Sequence, residues 1–241
     1  MKIDPTRLKA IVFDVDGTLY AQGGLRRAML LQLVRAHLVK PVTGYNTFRV
    51  LAAYRRAQEK LREEPIEGDV AAAQVQLACR SAGAPEELVR GLVARWMEQA
   101  PLPLLPRFMD PDLPALLKVA RERGVRLGVF SDYPATEKLR ALGLHEFFEV
   151  VLTAQDPSVN RFKPDPCGLR EAFRRLRAEG AEALYVGDRA KVDAAAAEAA
   201  GVPCVILNPR KNGGAERTFS EVAGYAELRN LLFSPTQGPN S

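Results

Sequence analysis

The rhythm of hydrophobic and polar positions changes twice along this chain. The first strong signal is Ala10-Ile11-Val12-Phe13, a short apolar run without polar alternation, which predicts a strand buried on both faces. It breaks off into Asp14-Val15-Asp16-Gly17-Thr18-Leu19-Tyr20. From there to about residue 105 the period is helical. Met29, Leu30, Leu33, Val34 and Leu38 predict a helix over 25–39, ended by Pro41. Further helices are expected over 47–63, with Arg and Glu outward, and over 70–81, stopped by Gly83. Another starts at Pro85-Glu86-Glu87, where Leu88, Leu92, Val93 and Trp96 share a face. Proline in a first turn with acids beside it suits a helix N-terminus. Pro101, Pro103 and Pro106 make a stiff exit from this region.

Beyond the prolines, strands and helices alternate. Strands are expected over 125–130, 148–152, 183–186 and 205–207. Helices are expected over 111–123, 134–142, 166–179, 190–200 and 225–233, the first four closed by Gly124, Gly143, Gly180 and Gly201. Repeated strand–helix units imply an α/β fold, a Rossmann-like parallel sheet with helices on both faces, and functional groups then gather at the carboxyl ends of the strands. The helical stretch interrupts this alternation after the first strand, which is simplest as an inserted α-helical cap domain. The expected division is a discontinuous core of residues 1–20 and 106–233 and a cap of residues 21–105. A Pro/Gly/polar tail over 234–241 is expected to be disordered. No internal repeat is visible.

Composition narrows the function classes. With 241 residues, 47% of them hydrophobic, the chain can build a substantial core. No stretch approaches the ~20 apolar residues of a membrane span, and the N-terminus lacks a signal-peptide core, so a cytoplasmic protein with no membrane partner is expected. The net charge of +5 is spread over many helices without a basic run or interleaved aromatics. That pattern supports no nucleic-acid partner but suits anionic substrates. Cys79, Cys167 and Cys204 form no metal-binding pair and read as idle thiols, with Cys167 near the edge of a polar motif. Oligomeric state is not legible.

Four polar clusters follow predicted strands. In Asp14-x-Asp16-Gly17-Thr18, two carboxylates one residue apart at a buried strand end need a cation or a proton. Asp14 can attack phosphorus to form an acyl-phosphate. Asp16 can protonate the leaving oxygen and then deprotonate water. The same string also suits an ordinary turn. Ser131-Asp132 can meet a phosphoryl oxygen, or simply cap the next helix. Lys163, in Lys-Pro-Asp-Pro, can balance Asp14 and a phosphate, or be a solvated loop residue; lysine is scarce here, nine against 25 arginines. Gly187-Asp188-x-x-x-x-Asp193 can hold Mg²⁺, or be a cap plus a surface acid.

In this order the clusters FDVDGTLY, FSD, KPDP and VGDRAKVD resemble the haloacid dehalogenase superfamily over roughly residues 10–210. The first motif is highly specific, and the fourth supports it. The resemblance implies a Rossmann-like core with a helical cap between the first and second motifs. It implies Asp14 as nucleophile and Asp16 as general acid and base. Mg²⁺ would be bound by the Asp14 carboxylate, the Asp16 carbonyl and Asp188, with Asp193 a ligand or a partner behind them. Ser131 and Lys163 would grip the phosphate, with Asp132 counted in the same phosphate-binding group. One departure is the polar stretch over 156–162, DPSVNRF, which is expected to alter the loop before Lys163. Asp16 argues against dehalogenases of this type, which lack the second acid, and against phosphonatases, which replace it.

The expected function is therefore a Mg²⁺-dependent phosphatase for a small phosphorylated metabolite, working through an aspartyl-phosphate. The alternatives are a phosphomutase of the same superfamily or a non-catalytic binding or regulatory protein. His37 and His145 are expected to be structural or exposed, and Trp96 to pack. Arg26, Arg27, Arg49, Arg55 and Arg56 read either as solvated or as contacts to a second anionic group.

Overall fold

The computed structural model describes residues 3–207 and 218–234. Six parallel strands, β1 (Ala10–Phe13), β2 (Arg126–Ser131), β3 (Val150–Thr153), β4 (Ala183–Gly187), β5 (Cys204–Leu207) and β6 (Ser220–Val222), form one sheet in the order β3-β2-β1-β4-β5-β6. The helices, in chain order, are α1 (Gln22–Ala36), α2 (Pro41–Glu63), α3 (Val70–Ala82), α4 (Glu86–Val93), α5 (Leu105–Phe108), α6 (Leu113–Glu122), α7 (Thr136–Ala141), α8 (Cys167–Arg175), α9 (Ala195–Ala200) and α10 (Tyr225–Phe233).

The continuous apolarity of β1 has a direct cause. Ile11 and Phe13 pack with Leu116 of α6, Leu139 of α7 and Leu228 of α10 on one face. Ala10 and Val12 pack with Leu169 and Phe173 of α8 and Ala197 of α9 on the other. Side chains of a strand alternate between faces, so a strand covered on both sides must be apolar at every position. The α/β class with helices on both faces is thus as expected.

The helical stretch α1–α4 lies between β1 and β2 in sequence and has a small core of its own. Val50, Ala53 and Ala57 of α2 meet Val75, Ala78 and Ala82 of α3 and Val89 and Val93 of α4 there. Trp96, in a π-helical turn continuing α4 over Ala94–Gln99, is buried, as expected for a packing residue. Among the described residues, no helix is long and apolar enough to cross a membrane.

Several boundaries differ from expectation. Pro41 does not close a helix at residue 39; α1 stops at Ala36, and Pro41 opens α2 six residues before the expected start, because a proline without N–H costs nothing in a first turn. Helix α8 ends at Arg175 instead of residue 179, since Arg177 takes a left-handed φ of 50° that a helix cannot continue through. Strand β6 was not anticipated, because three residues are too few to show a period. Ser234 follows α10, and the rest of the expected tail, 235–241, lies outside the described residues.

The polar stretch over 156–162 does shape its loop. The Asn160 side chain accepts from Val70 N–H at 2.9 Å and donates to the Gly68 carbonyl, so this loop docks onto the start of α3. Val159 and Phe162 are buried beneath it.

Candidate active site

The chain lays β2 and β3 on one side of β1 and then crosses to place β4 on the other. A crevice opens at the carboxyl ends of strands where the order reverses in this way. Asp14 follows β1, Ser131 ends β2, Asp188 follows β4, and Lys163 lies in the loop between β3 and α8. All the predicted site residues except Ser131 have a hydrogen bond or a charge interaction with another of the set. Ser131 is fully buried beside Asp132, and its Oγ accepts from Tyr133 N–H at 3.3 Å.

Lys163 is the hub. It is 2% exposed, and its Nζ donates to Asp14 Oδ1 at 2.5 Å, Asp193 Oδ1 at 2.8 Å and the Tyr185 hydroxyl at 3.0 Å. Burial alone would depress its pKa, but Asp14 and Asp193 override burial and hold the ammonium well above its ordinary range. Asp14 also accepts from Thr18 Oγ1 at 3.2 Å, and its N–H extends the β1–β4 ladder to the Val186 carbonyl at 2.8 Å.

Asp193 is fully committed. Its Oδ1 takes Lys163 and, at 3.0 Å, the Tyr185 hydroxyl; its Oδ2 takes the N–H groups of Asp188 at 3.3 Å and Arg189 at 2.9 Å. Asp188 is the reverse case, because its buried Oδ1 has no hydrogen-bond partner. Asp14, Asp188 and Asp193 each offer an oxygen within 4.8 Å of the others. That crowding is costly: burial, with Asp193 and Asp188 adding and Lys163 opposing, pushes Asp14 up to about 8. Burial and then Asp193 push Asp188 up to about 6. Burial would raise Asp193 too, but Lys163 overrides it and keeps that carboxyl below its usual range. One lysine does not balance two buried acids and a half-buried third, and one oxygen of that third acid is left without a partner. An oxygen-only donor set of this kind fits a hard divalent cation.

Two glycines make the approach possible. Gly17 has φ 107°, and a Cβ there would run into the Asp188 carboxylate. A Cβ on Gly187 would likewise collide with Asp193. In both motifs glycine therefore lets backbone pass against an acid.

Asp16 stands apart from the triad, at the cavity. Lys138 of α7 donates to both its oxygens, at 2.6 and 2.7 Å, and the Tyr20 hydroxyl donates to Oδ1. Burial alone would raise the Asp16 carboxyl, but Lys138 draws it below the usual range. Asp132 accepts from Lys163 N–H at 3.2 Å, and its other oxygen takes Arg62 of α2. Its carboxylate is thus occupied in joining the Lys163 loop to the helical stretch.

Sequence reading missed Lys138, Tyr20, Arg62 and Tyr185. The scarcity of lysine was a usable signal for Lys138; nothing local marks Tyr185, which reads as strand core. Both histidines lie outside the site: His37 packs tilted against Trp96 with ring centroids 5.7 Å apart, and His145 lies beside Glu146. Cys167 does not line the cavity.

The cavity over Asp14 has a volume of about 610 Å³ and is walled on one side by the strand ends and on the other by α1, α2 and the turn after α4. Arg26, Arg55 and Arg56 line it, whereas Arg27 and Arg49 do not.

Known proteins match most of the length of the chain. The family model for haloacid dehalogenase-like hydrolases matches residues 8–201. The chain is 34% identical to a glyceraldehyde 3-phosphate phosphatase of Methanopyrus kandleri, covering 85% of each chain. It is 31% identical to a phosphoglycolate phosphatase of Rhodospirillum rubrum, over 95% of this chain and 93% of that one. A crystal structure of a HAD phosphatase from Thermococcus onnurineus superposes with a TM-score of 0.65 at 25% identity, covering 94% of this chain and 98% of the other.

Proposed function

The chain belongs to the haloacid dehalogenase-like hydrolases, and from that premise we propose that it is a cytoplasmic, Mg²⁺-dependent phosphatase that cleaves a small phosphate monoester through a phosphorylated Asp14. The observation that carries this reading is the placement of Asp14, held by Lys163, in the lining of a cavity that Asp16 also lines. Two relatives named as phosphatases of three- and two-carbon phosphates support a small substrate.

Asp14 attacks the phosphorus atom in line with the ester oxygen. The bond to the alcohol breaks as the leaving oxygen takes a proton from Asp16. Water then attacks the phosphorus and gives its proton to Asp16; the bond to Asp14 breaks, releasing inorganic phosphate and the free carboxylate. Lys138 grips Asp16 as a carboxylate here, so its release is what lets Asp16 carry the proton. Ser131, Lys163 and the backbone N–H at Asp132 are the groups assigned to bind the phosphate, while the Asp132 carboxylate accepts from the Lys163 N–H and orients that residue. Mg²⁺ would be held by the Asp14 and Asp188 carboxylates and the Asp16 carbonyl, with Asp193 as a further ligand or the group behind them, and would supply positive charge that offsets the acids and the phosphate. Residues 21–105 serve as a cap, hinged at 20–24 and 101–106, that shields the cavity from water.

Magnesium-dependent release of p-nitrophenol from its phosphate tests the reading. EDTA is expected to abolish it and Mg²⁺ to restore it; full activity of the metal-free protein refutes the cation site. Product analysis with a sugar phosphate separates hydrolysis, which yields free phosphate, from transfer to another hydroxyl, which defines a mutase.

Asp16→Asn is expected to impair esters of weakly acidic alcohols by at least about tenfold more than p-nitrophenyl phosphate, whose leaving group needs little protonation. Equal losses on both kinds of ester would remove Asp16 from the acid role.

A further inference from the structure

Donors outnumber acceptors on the cavity wall opposite Asp14. Helix α2 presents Arg55, Gln58 and Arg62 to it at a spacing of three and four residues, which puts them on one helical face. Gln58 is 4% exposed, and its Nε2 donates to nothing; Arg62 Nε is also buried without an acceptor. Unpaired buried donors are costly, and two of them side by side at a cavity point to an acceptor that arrives from outside.

The charges agree. Lys163 and Lys138 are neutralised by Asp14, Asp193 and Asp16, and Arg62 by Asp132 and Glu59. Arg189 reaches Glu59 only at 3.7 Å. Arg26 and Arg55 make no ion pair among the described residues, although both line the cavity. Burial and then the charges of Arg55 and Arg189 draw Arg26 below its ordinary range, as expected of guanidinium groups crowding one another. Glu98, the remaining acid on the wall, forms no ion pair with any of them.

We propose that Arg26, Arg55 and Gln58 form a second anion subsite, so that the substrate is a phosphate ester carrying another anionic group, a carboxylate or a second phosphate, at the far end of its carbon skeleton. This deepens the phosphatase reading and rests on it for the position of the reacting phosphate. The skeleton lies along the apolar wall of Leu33, Phe48 and Trp96. Guanidinium and amide donors suit such a group because charge-assisted hydrogen bonds are strong and planar forks match its oxygens.

The test is a binding measurement that needs no turnover. Titration calorimetry compares ω-carboxyalkylphosphonates of two to six carbons with alkylphosphonates of the same length, in the Mg²⁺-loaded protein. At the best length the acid-bearing phosphonate is expected to bind at least about tenfold tighter, as for a site whose polar groups go unpaired with the analogue. Arg55→Gln and Gln58→Leu are each expected to reduce that ratio severalfold; Arg55 is exposed enough that its replacement leaves the fold intact. Equal binding of the two series at every length, or a ratio unchanged in both variants, overturns the subsite. If no ester is hydrolysed but the ratio and its loss are observed, the phosphatase reading fails and the subsite stands.

Discussion

Replacing Asp14 with Asn is expected to lower turnover by at least about three orders of magnitude, the scale for removing a covalent nucleophile. The amide keeps the shape of the side chain and the contact with Lys163, but it cannot attack phosphorus. The substitution also removes one of three crowded acids, so the metal-free protein is expected to melt no lower than the parent. Phosphate release by a preparation free of contaminating phosphatase, measured beside thermal unfolding, gives both answers. Near-parental turnover would sink the mechanism whatever the melting temperature.

Lys163→Met is expected to do the opposite to stability while also removing activity. Its ammonium is buried between Asp14 and Asp193, with the Tyr185 hydroxyl as a third contact. Methionine fills much of the volume but leaves two buried carboxylates without their counter-charge. Breaking a buried ion pair from one side costs about 3–5 kcal/mol. Urea unfolding is expected to show that loss in the absence of metal, with a partial return when Mg²⁺ is added. A variant as stable as the parent would mean that Lys163 does not hold the acids together.

The contrast between these two neighbours shows where sequence was sufficient. Asp14 was legible because everything that defines it is local: an apolar run buried on both faces must stop where the carboxylate begins, and Asp16 and Gly17 follow within three residues. The α/β class was legible for the same reason, since burial on both faces demands uninterrupted apolar strands and each following helix shows its own period. Asp188 and Asp193 were legible as one strand end and the first turn after it.

What the tertiary structure decided is which of these groups meet, and against what. The crossing from β3 to the far side of β1 sets Asp188 beside Asp14, across 174 positions of chain, and no local pattern records that distance. Tyr185 reads as strand core, yet the register of β4 against β1 places its hydroxyl on Lys163 and Asp193. Lys138 and Arg62 look like surface charges on amphipathic helices; only the docking of α7 and α2 over the strand ends turns them onto Asp16 and Asp132. Sequence by itself therefore determined most of the elements, the order of the motifs and the place of Asp14 at the end of the first strand, because those follow from short-range periodicity and burial. The pairing of charges, the orphaned donors of α2 and the shape of the cavity arise from contacts between distant segments, whose energies depend on packing and low dielectric instead of on neighbours in the chain.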